Sequence, residues 1–160
     1  MLSRMSEPTP PPLPRRPALI FWRLFALLYD AFPVIAIWMV IAAIFVVGLT
    51  VTEHSDRVYV QPWSLLNWLE WVVCWVIAGL YAVMSWHRGG QTLGMRPWRL
   101  RVTAADGDRP TWRALWIRYA IGSLSLTLAG LGFWWAWIDR DRLTWHDRAS
   151  GTRMRREAKR

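Results

Sequence analysis

Two charges stand where a chain rarely puts them. Arg23 and Asp30 interrupt an apolar run that extends over residues 19–51. A carboxylate at the centre of a membrane helix costs roughly 2.5–3.5 kcal/mol on insertion scales, so it survives there with a partner or a task. The two residues are seven apart, two helical turns along one face. That spacing separates them by about 10 Å along the axis, too far for a direct pair. Each therefore needs a partner from elsewhere in the chain. Arg23 can snorkel to a phosphate at the membrane surface or meet a carboxylate that returns to it. Asp30 is either a buried carboxylate that holds helices together or a site for a cation or proton. Asp139 and Asp147 are the acids that could return to Arg23, Asp139 within a mixed-charge turn and Asp147 directly after His146. No residue set reads as catalytic. His54, His87 and His146 lack metal-ligand spacing, and one cysteine, Cys74, excludes a disulfide or a multi-cysteine metal site.

The elements that must position these residues are membrane helices. The 160 residues are 54% hydrophobic and 19% charged, and fourteen of them are Trp. The apolar residues lie in blocks with the charges between them, and polar ends dilute the mean hydropathy to +0.13. About twenty apolar residues cross a bilayer. Residues 31–49 supply nineteen without a charge, residues 63–86 carry only Glu70, and residues 119–138 carry none. Spans are expected at about 20–50, 63–86 and 112–142. The fold class is all-α integral membrane: two transmembrane helices, then a third apolar block. Residues 1–18, rich in Pro and Arg, read as a disordered cytoplasmic tail, residues 19–152 as the membrane domain and 153–160 as a basic tail.

Lys and Arg number three before residue 19, one in 52–62, six in 87–113 and eight in 139–160. The first three counts put the N-terminus inside. A single third crossing would put the most basic segment outside. The alternative is a re-entrant hairpin, broken in Gly122-Ser-Leu-Ser-Leu-Thr-Leu-Ala-Gly-Leu-Gly132 into helices near 112–127 and 131–142. Residues 98–103 alternate like a strand and end in a turn at Ala105-Asp-Gly-Asp108. A small β-hairpin or sheet on the cytoplasmic face follows, and residues 151–155 can pair with 98–103 only if the tail is also inside.

These residues have a familiar order. Arg23-Leu-Phe-Ala-Leu-Leu-Tyr-Asp30 resembles the signature of the RDD family of bacterial membrane proteins, named for an arginine and two aspartates. Gly90-Gln-Thr-Leu-Gly-Met-Arg96 is similar to that family's loop motif, with Met95 where the family has Lys. Val102-Thr-Ala-Ala-Asp-Gly107, Pro110 and Trp112-Arg-Ala114 resemble the next block. Phe133 through Asp139 and His146-Asp-Arg-Ala-Ser-Gly-Thr152 resemble the last. The resemblance maps the second aspartate to Asp147, with Asp139 as competitor, and makes Gly90, Gln91, Thr92, Gly94 and His146 supporting residues. It implies a bacterial inner-membrane location; transport of some ligand, cation/proton exchange among the options, is the usual suggestion for the family.

The functional expectation is a multi-pass protein with both ends cytoplasmic, using an Asp/Arg site to move an ion or small solute. The alternative is a non-catalytic accessory or assembly protein packed against a larger membrane complex. Expected partners are anionic lipid headgroups and a homo-oligomer or larger complex. Neither enzyme chemistry nor a cofactor is expected, since Gly90–Gly94 lacks a P-loop's context and no Ser/His/Asp order or metal set occurs. Nucleic acid is not expected because the basic residues flank apolar blocks.

Overall fold

The computed structural model describes residues 19–53 and 63–157. The tail assigned to residues 1–18, the stretch 54–62 and the last three residues lie outside that description. Helix α1 spans Ile20–Glu53 and runs unbroken through Pro33. Helix α2 spans Leu65–Gly89 and is capped at its start by the Ser64 side chain. At about 1.5 Å per residue these helices are about 51 and 37 Å long, enough to cross a bilayer. Strand β1 covers Leu100–Ala104, and helix α3 covers Trp112–Thr127 behind a Thr111 cap. Helix α4 is Leu131–Ile138, helix α5 Trp145–Ser150 and strand β2 Thr152–Arg156.

The third apolar block is bent. Helices α3 and α4 meet at 98°. The break falls within the predicted Gly/Ser/Thr run, where Ala129 and Gly130 are both left-handed, φ 54° and 75°. Backbone groups freed at a helix break need other hydrogen-bond partners. Here the Leu128 amide donates to the Leu124 carbonyl, the Gly130 amide to Ser125 and the Leu131 amide to Leu128. Small residues allow the fold-back: a Cβ on Gly132 would sit 2.6 Å from Ser125 Oγ.

Both ends of this pair lie at one end of the α1–α2 pair. His87, near the end of α2, stacks on Trp112 at the start of α3, with ring centroids 4.6 Å apart. At the return, Trp137 of α4 meets Phe21 of α1 at 6.2 Å. The third block is thus a folded-back pair of helices and not one straight helix.

Strands β1 and β2 pair antiparallel, Val102 opposite Met154. The expected sheet is therefore present, but it joins segments far apart in sequence and is not a hairpin. Residues 153–156, assigned above to a basic tail, belong to its second strand. Val102 and Leu100 enter a core with Leu115, Val83, Ala26 and Met95, and Trp22, Trp86 and Trp98 pack against it. The sheet thus seals one end of the molecule.

Candidate polar centre and cavity

Asp147 is the hub of this end, 1% exposed. Helix α5 has six residues and holds the carboxylate by a capping box. The Thr144 side chain accepts from the Asp147 amide, and the Asp147 carboxylate accepts from the Thr144 amide. The same carboxylate receives Arg23 Nη1 of α1 at 2.6 Å and Arg118 Nη1 of α3 at 2.5 Å. Arg23 also donates to Thr144 Oγ1, and Arg118 to Thr152 Oγ1 of β2. One side chain thereby ties together α1, α3 and α5, with β2 attached through Arg118. Burial pushes the Asp147 carboxyl up, but the Arg118 and Arg23 guanidiniums outweigh it and hold it well below the usual carboxylate range.

His146, also buried, lies against the Phe133 ring at 4.7 Å. Its Nδ1 has no hydrogen-bond partner. Burial first, then the positive charge of Arg118, lowers its pKa well below the ordinary value, so the ring is neutral at physiological pH.

Asp30 forms a second, separate cluster. Its Oδ1 accepts from Tyr81 Oη at 2.9 Å and from the Gly94 amide at 2.9 Å, and its Oδ2 accepts from Thr92 Oγ1. The loop that supplies Thr92 and Gly94 leaves α2 through Gly90, which is left-handed at φ 69°. Gly94 is required for close approach: a Cβ there would overlap the Ala26 carbonyl and sit 2.6 Å from the Asp30 nitrogen. Met95, next in the loop, is buried in the core and receives Trp86 Nε1.

The two clusters face a common cavity of about 360 Å³ between α1, α2 and α3. Arg23, Asp30, Arg118 and His146 line it together with apolar side chains that include Val34 and Leu126.

The structure thus sorts the expected residues. Arg23 meets Asp147 and is buried, so it does not snorkel. Asp30 gathers Thr92 and Gly94. Asp139 stands apart: it accepts from the Leu143 amide at the end of α4 and pairs at 2.9 Å with Arg148, which is largely exposed. Gln91 lines a different surface cleft, with Arg88 and Arg96. Arg118, Tyr81 and Thr144 escaped the sequence reading. Arg118 was legible in principle, since it lies on one α3 face with Gly122 and Ser125, four and seven residues on. Among the described residues, no cluster of His, Cys, Asp and Glu could hold a metal ion.

The RDD family model matches residues 17–151, from before Arg23 to beyond Asp147. The chain belongs to the RDD family. The two long apolar helices fit the membrane character of this RDD protein. No curated protein and no solved structure matches the chain.

Proposed function

We propose that this RDD protein resides in the bacterial inner membrane with both ends cytoplasmic and takes part in moving an ion or small solute. The cavity walled by Arg23, Asp30 and Arg118 is the cargo site in this reading. The observation that carries it is the chemistry of Asp30. Its three partners, Tyr81, Thr92 and the Gly94 amide, are all neutral donors. Among the described residues, no basic nitrogen lies within 4.0 Å of it. A carboxylate on a cavity wall with uncompensated charge attracts a cation or proton. Asp147 is the opposite case, neutralised by two guanidiniums and fixed in place. Three apolar blocks are few for a complete path, which favours a homo-oligomer.

The test is ion flux in reconstituted vesicles. Asp30→Asn should reduce flux to the level of empty vesicles, while Arg109→Gln, an exposed change away from the cavity, should leave it intact. Normal flux through correctly inserted Asp30→Asn protein would refute the reading.

A second reading, packing against a larger membrane complex, is favoured by the partly exposed Trp134, Trp135 and Trp137 of α4. A stable unrelated partner on purification supports this alternative, and a pure oligomer supports the first.

A further inference from the structure

A second concavity, of about 230 Å³, opens beside the start of α1. Leu19, just before α1, Arg23 of α1, residues 141–143 of the α4–α5 connection and residues 153–156 of β2 line it. Five of those positions are arginine: Arg23, Arg142, Arg153, Arg155 and Arg156. Asp141 is the sole acid among them. None of Arg142, Arg153, Arg155 and Arg156 has a carboxylate within 4.0 Å among the described residues. Arg156 instead lies over the Trp22 ring, 4.0 Å from its centroid. Arg23, 4% exposed, keeps its Nε buried without a hydrogen-bond partner. Unshared guanidinium charge around a small concavity is a site for an anion with several acceptor oxygens.

The backbone adds donors. The Glu157 amide donates to Arg99 and the Ala105 amide to Gly151, which fixes the alternation of the antiparallel ladder. By that alternation, the Met154 and Arg156 amides point away from β1, along the free edge of β2 that borders the cleft.

The surroundings select the source of the anion. Close in sequence to the lining residues Arg23 and Asp141, Phe21 and Ile138 are 62% and 78% exposed on helices α1 and α4, which meet at Phe21 and Trp137. A phosphate seated among the arginines would lie at the headgroup level of a bilayer crossed by α1, and acyl chains would descend over this apolar seam. We propose that the cleft is a binding site for an anionic phospholipid, with the phosphodiester held by Arg142, Arg153 and neighbouring donors. The proposal rests on the membrane placement of α1 and is independent of any cargo in the larger cavity.

Native mass spectrometry of the purified protein in nanodiscs tests this. With equal phosphatidylglycerol and phosphatidylcholine supplied, the wild type should retain phosphatidylglycerol preferentially. Arg142→Gln with Arg153→Gln should weaken that retention roughly tenfold or more, from the loss of two basic contacts near a membrane surface. Arg109→Gln with Arg113→Gln, an equal charge loss at exposed positions before and within the first turn of α3, should leave it unchanged. Indifference of the wild type to headgroup charge overturns the proposal and needs no variant. Equal loss in both double variants overturns it too, since it would mean a general surface charge effect. Competition by millimolar inorganic phosphate would make free phosphate the ligand and reject the lipid.

Discussion

A single carboxylate, Asp147, carries more of this architecture than any other side chain. Two guanidiniums share it beneath a surface that excludes water, so removing the carboxylate leaves both cations buried and uncompensated. Breaking such a cluster costs about 3–5 kcal/mol. Asp147→Asn should therefore lower thermal stability in detergent sharply, and by more than Asp139→Asn, whose carboxylate is buried but pairs with the single, largely exposed Arg148. The neighbouring His146 gives the centre an acid-sensitive component. It is neutral when folded, with Arg118 of α3 and Arg23 of α1 repelling its proton and Asp147 of α5 attracting it. The unfolded chain takes up that proton below about pH 6.5. This part of the stability is complete above that pH and is lost as pH falls through it. The depressed Asp147 carboxyl contributes its loss only below about pH 4. The fall in unfolding temperature between pH 7.5 and 5 should shrink in His146→Gln, and an unchanged fall would reject this origin. Arg23 and Asp30 were legible because charges inside an apolar run announce themselves. Arg118 was missed despite its helical spacing to Gly122 and Ser125: the uncharged run begins one residue after it, so it read as flanking sequence instead of the innermost charge of α3.

At the scale of elements, small residues decide what can approach what. The loop after α2 touches the α1 backbone at Gly94, and its amide reaches Asp30 only because no side chain intervenes. Gly94→Ala must push apart two backbone segments that cannot yield as a flexible side chain would. Overpacking of this kind costs about 1–3 kcal/mol, and the Asp30 hydrogen bond is lost with it. The expected result is a destabilised protein, seen in its unfolding temperature, whereas Gly89→Ala, with open space around its Cβ, should be silent. The α3–α4 break was readable because Ser, Thr and Gly crowd the middle of an otherwise apolar block. The strand at residues 100–104 was readable from its alternation. Helix α5 was not, because six residues are too few to show a helical period, and its capping box is tied to the long-range pair with Arg23.

For the whole molecule, the buried ion cluster and the sheet are gathered at one end. The start of α1, the end of α2, both strands and α5 meet there, fastened by the β1–β2 ladder and the Arg23–Asp147–Arg118 cluster. If α1 and α2 each cross the bilayer, residues 19 and 157 lie on the same side, whatever depth α3 reaches. Helix α3 is about 24 Å long against about 37 Å for α2, too short to emerge opposite. A reporter fused at Arg160 should thus show the same side as one fused before Leu19, matching the eight basic residues of 139–160. A cysteine placed at Ala105, in a background with Cys74 replaced, should react with an impermeant thiol reagent from that side alone. One at Leu128, at the tip of the bend, should resist the reagent from both sides if the folded-back pair is re-entrant, since the tip then lies in the bilayer interior. A reporter at Arg160 on the opposite side would require the strands and the buried ion cluster to come apart. No rearrangement of α3 and α4 alone could deliver it, so that one measurement bears on the fold as a unit.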